Sequence, residues 1–119
     1  MFDRVTGSVD PAVVQAWQKY DIARTLEANW AALAPNLNGK IHVIVGTADT
    51  FYLDGAAHKF DAVLRGLHAD AHFTYIDNRT HFDLYRVGDD RMGLLDQISA
   101  EMYAVARPGK QWKPAVAHP

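Results

Sequence analysis

Cysteine is absent from this 119-residue chain, which excludes disulfides, thiolate metal sites and cysteine nucleophiles together and fits a reducing compartment. Serine is almost absent, occurring only as Ser8 and Ser99. No apolar run approaches the roughly 20 residues that a bilayer span requires. The opening MFDRVTGSVD carries acids and polar residues where a secretory signal would have an apolar core. The expectation is a cytoplasmic chain. Neither sign of charge dominates: 12 Lys and Arg against 14 Asp and Glu give a formal net charge of -2, so composition offers no attraction to nucleic acid or to an anionic membrane. Internal repeats and low-complexity blocks are also lacking. What remains is a chain of 49% hydrophobic content, long enough for one globular domain.

Within it, Asp10-Pro11 precedes VVQAWQKY, a capping acid followed by a proline in the first turn, which predicts a helix from about Asp10 to Tyr20. Asp21 restarts a second helix over IARTLEANWAALA, with Ile22, Leu26, Trp30 and Leu33 on one face and Pro35 as its stop. Ile41 to Val45 reads as a buried strand bounded by Gly39 and Gly46, in which His42 is the polar member. The segment AAHKFDAVLRGLH places Ala56, Phe60, Val63, Leu64 and Leu67 on one helical stripe. HFTYID, His72 to Asp77, is a second strand. Asp89 or Asp90 caps a last helix to about Ala106, with Met92, Leu95, Ile98, Met102 and Val105 as its inward face.

The order is α-α-β-α-β-α. Three regions follow: a helical segment over 1–38, a β-α-β-α portion over 39–106 and a Pro-rich tail over 107–119. A strand-helix-strand connection of this length builds a parallel pair with a right-handed crossover, so the fold class is α/β. Two parallel strands are few for a sheet that parallel architecture normally buries on both faces, and the chain reads as a portion of a larger sheet.

Parallel strands end at one edge, about 5 Å apart when adjacent, and ligands gather outside those carboxyl ends. Asp49 follows the first strand and His81 follows the second. A carboxylate on one ring nitrogen fixes the tautomer and stabilises the imidazolium that forms when the other nitrogen takes a proton.

GKIHVIVGTADTFYL, followed some thirty residues later by NRTHFDLY, resembles the C-terminal part of an α/β-hydrolase serine esterase of the enterochelin-esterase-like group. FDRVTGSVDPAVVQAWQKYDI similarly resembles the helical segment that precedes the seventh strand of that fold, so the likeness covers most of the chain. It implies ester hydrolysis through an acyl-enzyme, without metal or cofactor, with Asp49 as the triad acid and His81 as its base, in the chain order Ser, Asp, His. The G-x-S-x-G elbow is not present, and neither Ser8 nor Ser99 follows an expected strand. The nucleophile and the oxyanion-hole amides are therefore expected from a missing N-terminal hydrolase portion, and the isolated chain is expected to be inactive. A small-molecule ester is the implied substrate.

Plainer roles stand beside these. Asp49 in a G-x-x-D loop can be a turn former that bonds its own backbone, with Asp54 as fallback acid and Asp83 as another partner for His81. Phe51 and Tyr52 adjoin the acid and are candidates to line an acyl pocket, joined by Trp17 if the first helices form a cap; by default all three are packing residues. His68 and His72 are spaced by four like a metal pair, but a helix-to-strand break is expected between them. His42 and His58 read as structural or exposed. The alternative to an esterase segment is a non-catalytic α/β module that self-associates or docks a partner through an open sheet edge.

Overall fold

A computed structural model describes residues 2–113. The expected tail is thus described only as far as residue 113, and the rest of it lies outside the described residues. The elements are α1 (Pro11–Trp17), a 3₁₀ turn (Gln18–Tyr20), α2 (Ile22–Leu37), β1 (Ile41–Gly46), α3 (Leu53–Gly66), β2 (Ala71–Ile76) and α4 (Gly93–Ala106). The protein is α/β in the order α-α-β-α-β-α, with β1 and β2 forming a parallel pair. The backbone bonds flanking the pair climb in step: Gly39 donates to the Asp70 carbonyl at 2.8 Å and Thr47 to the Ile76 carbonyl at 3.0 Å. Two compact units divide the chain, one holding 2–43 and 56–73 and the other 44–55 and 74–113. The boundary cuts both strands and the first turn of α3.

In the first unit the helix starts follow their capping acids. Asp10 accepts from the Ala12 amide at 2.9 Å, with Pro11 beginning α1, and Asp21 accepts from the Arg24 amide at 3.2 Å at the head of α2. Pro35 does not stop α2, which runs on to Leu37. A proline this near the end forfeits one amide bond, while the Asn38 amide still reaches the Ala34 carbonyl at 3.0 Å. Of the expected apolar face, Leu26 is buried and Ile22 is exposed. On α3 the buried residues are Ala57, Asp61 and Leu64, so of the expected stripe Leu64 is buried while Ala56 is exposed. An apolar-only pattern cannot anticipate Asp61, whose two oxygens accept from Arg65 Nε and Nη2 at 2.8 Å each. The Phe60 and Phe73 rings pack edge-on at 5.9 Å. The break between His68 and His72 falls where expected, between the ends of α3 and β2.

In the second unit α4 starts at Gly93 instead of at Asp89 or Asp90. Asp90 pairs its backbone with Val87 across an antiparallel bridge, and its carboxylate takes the Met92 amide at 2.8 Å. The buried residues of α4 are Gly93 and Leu94, whereas Leu95, Met102 and Val105 are exposed. The rotation is set by a close approach: a Cβ on residue 93 would lie 2.8 Å from the Val87 Cβ. Because α4 is apolar on several sides, spacing alone points to no single inward face.

The decisive contact is at the end of β1. A Cβ on residue 46 would collide with the Arg79 carbonyl and lie 2.9 Å from the Arg79 Cβ. Only glycine lets the two loops beyond the strands approach this closely. Gly46→Ala should therefore cost about 1–3 kcal/mol through overpacking, read as a fall in the thermal unfolding midpoint. Gly55→Ala, on α3 where an added Cβ meets nothing within 4 Å, should instead stabilise by roughly 0.5–1 kcal/mol.

Candidate functional site

The site lies wholly in the second unit, on the two loops that leave the carboxyl ends of β1 and β2. Below Gly46 the loops are stitched together by backbone and hydroxyl bonds. The Ala48 amide donates to the Arg79 carbonyl at 3.1 Å, the Thr47 hydroxyl donates to Asp77 Oδ1 at 3.2 Å, and the Asn78 amide donates back to Thr47 Oγ1 at 2.9 Å. The loop after β2 is then folded by Asp83. Its Oδ1 accepts from the Thr80 amide and hydroxyl, both at 2.7 Å, and its Oδ2 lies 3.5 Å from Arg79 Nη1. The Thr80 hydroxyl and amide, with Arg79 adding charge, hold the Asp83 carboxyl below its ordinary value against the opposing effect of burial.

Between these fastenings stand Asp49 and His81. Asp49 Oδ2 is 3.0 Å from His81 Nδ1. Asp49 Oδ1 accepts from the Phe51 amide at 2.8 Å and from the Leu53 amide at 3.2 Å. The aspartate therefore fills both roles open to it: one oxygen forms the turn into α3 and the other meets the imidazole. Burial pushes the Asp49 carboxyl upward, but the Phe51 and Leu53 amides together with His81 outweigh it and hold the group below its ordinary value. An ionised carboxylate only accepts hydrogen bonds, so the contact calls for a proton on Nδ1, and a neutral ring bonded in this way has its lone pair at Nε2. Among the described residues no group bonds Nε2. The acid's side chain is 1% exposed and the histidine's 43%, so the pair is closed on the acid's side and open on the base's.

Two rings meet the imidazole. Phe51 stands edge-on to His81 at 4.9 Å and 78°, and Phe82 lies 5.9 Å from both His81 and Phe51. Tyr52 is 85% exposed, with a left-handed backbone (φ 59) and its amide on the Asp49 carbonyl at 3.0 Å. It shapes the turn. Trp17 lies in the first unit, edge-on to Tyr20 at 6.0 Å, beside a hollow of about 540 Å³. Asp54 sits in the first turn of α3, and Asp83 is engaged by Thr80 and Arg79. Phe82, Thr80 and Gly46 were not among the sequence candidates. Thr80 and Asp83 form a T-x-x-D capping pattern that was readable, whereas the collision at Gly46 depends on a residue 33 positions away.

No family model matches the chain, and no curated protein or solved structure matches it at a significant level. The site is accordingly read from its own geometry: a buried carboxylate, an imidazole held against it through Nδ1 and a second ring nitrogen that no group among the described residues bonds, which together can accept and return a proton.

The lowered Asp49 carboxyl has a consequence for stability. A group depressed by folding adds stability above its ordinary value, 3.8 for an aspartate, and loses it as pH falls through the folded value. In urea titrations the midpoint of the wild type should exceed that of Asp49→Asn at about pH 6, and the gap should close as the pH is lowered past the ordinary carboxyl range.

Proposed function

We propose that this chain supplies the acid and the base of a serine carboxylic-ester hydrolase, with the nucleophile carried by an N-terminal hydrolase portion outside it. The observation that carries the reading is the Asp49–His81 contact of 3.0 Å, with the acid buried on two amides and Nε2 left without a hydrogen bond among the described residues. In the reaction the serine oxygen attacks the ester carbonyl carbon while His81 Nε2 takes its proton. The tetrahedral intermediate collapses, the ester C–O bond breaks, and the proton passes from Nε2 to the departing alkoxide. Water then repeats the sequence on the acyl-enzyme. Asp49 stays ionised throughout and stabilises each imidazolium. The oxyanion donors come from the same missing portion as the serine. No metal, cofactor or nucleic acid is needed, and the lack of cysteine suits a cytoplasmic setting. No helix among the described residues is long and apolar enough to cross a membrane.

A second reading has an observation of its own. Among the described residues the sheet has two strands, so each leaves an edge unpaired, and Phe51 and Phe82, on the loops that follow the strands, are exposed at 57% and 77%. A non-catalytic module that self-associates or docks a partner would use such an edge.

The two are separated by co-expression with the product of the reading frame immediately upstream, which the hydrolase reading expects to carry G-x-S-x-G. The complex should hydrolyse p-nitrophenyl butyrate. Asp49→Asn should then lower kcat by about 10⁴-fold, and His81→Ala by at least as much, while the chain alone should turn over no faster than its own His81→Ala variant. Turnover by the complex that survives His81→Ala would sink the hydrolase reading. Turnover by the chain alone, lost in both variants, would place the nucleophile within it, at Ser8 or at a water.

A further inference from the structure

Residue 51 touches both members of the pair. Its amide donates to Asp49 Oδ1 at 2.8 Å, and its ring meets the His81 imidazole at 4.9 Å with the planes at 78°. The turn into α3 needs only the amide, which any residue other than proline supplies. Core packing does not explain the side chain either, since Phe51 is 57% exposed. Among the described residues the imidazole of His81 has one hydrogen bond, at Nδ1, and on an open loop that bond alone opposes rotation about the Cβ–Cγ axis. An edge-on aromatic contact on a second side opposes it as well. Phe82, 5.9 Å from both rings at 85° and 64°, braces Phe51 in place.

We propose that Phe51 is the positioning residue of the pair, fixing the carboxylate through its backbone and the imidazole through its ring, so that Nδ1 stays on Asp49 and Nε2 stays turned outward. The proposal rests on reading Asp49 and His81 as acid and base, and it gives the ring a task distinct from lining an acyl pocket.

The test reads the imidazole directly and needs no nucleophile. Long-range ¹H–¹⁵N correlations of the ¹⁵N-labelled full chain, at about pH 8.5 where imidazole is neutral, report the tautomer of His81. The wild type should carry its proton on Nδ1. Phe51→Leu and Phe51→Met keep the amide and remove the ring, and each should lower the ratio of the Nδ1–H to the Nε2–H form by about two- to tenfold. Phe51→Tyr should restore it. Thermal unfolding of the same variants, at an exposed position, should match the wild type. An unchanged ratio in both ring-deleted variants overturns the positioning role and leaves the acid–base reading intact. A wild-type ring protonated on Nε2 overturns the acid–base reading, and this proposal with it.

Discussion

The carbonyl of Arg79 occupies the space that a side chain on residue 46 would need. Everything beyond the strand ends depends on that crossing. It brings the loop after β1 within backbone hydrogen-bond reach of the loop after β2, so that Ala48 bonds Arg79 and Thr47 bonds both Asp77 and Asn78. With the bases of the loops joined, Asp49 and His81, 32 residues apart in sequence, need no long flexible reach to meet. Parallel strands supply the shared edge, but a shared edge alone sets loop separation only coarsely. The missing Cβ sets it finely.

The carboxylate of Asp49 divides its work between its oxygens, and the division explains why a buried acid is tolerated there. An unpaired carboxylate taken out of water would neutralise itself. Here two amides and an imidazole compensate the burial and keep the charge. The amides belong to the turn that starts α3, so forming the helix and ionising the acid favour each other. Asp83 repeats the pattern on the other loop, where it takes both donors of Thr80. The two loops are thus each organised by an aspartate, and only one of the two carboxylates is turned toward the histidine.

Much of the architecture was legible because its signals are local. Asp10 and Asp21 mark helix starts through bonds to amides two or three residues on, and β-branched runs mark the strands. The pairing of Asp49 with His81 was legible from topology, since parallel strands end together. Other features are set by tertiary contacts. Pro35 is carried inside α2 because the following amides still find carbonyls. Asp61 is buried because Arg65 lies one turn away. Leu94, not Leu95, faces inward because Gly93 must abut Val87. Phe82 is illegible in the sequence because an aromatic beside a loop histidine has no signature apart from its ring geometry.

A turn-forming role for Asp49 accounts for only half of what its carboxylate does. The bonds from Phe51 and Leu53 use Oδ1 alone, and a glycine-free turn of this kind is completed by them. Had the second oxygen been left to water, the turn would stand and the charge would be solvated at no cost. Instead the side chain is 1% exposed and Oδ2 faces an imidazole that is itself 43% exposed. Contact with so open a partner contributes little to stability, so stability gives no reason to withdraw the acid from solvent. The proposed proton transfer does give one. A carboxylate shielded from water holds the tautomer and stabilises the imidazolium more strongly than a hydrated one, and the base must stay accessible to the group it deprotonates. The asymmetry between a closed acid and an open base is the distribution of solvent that general-base chemistry requires.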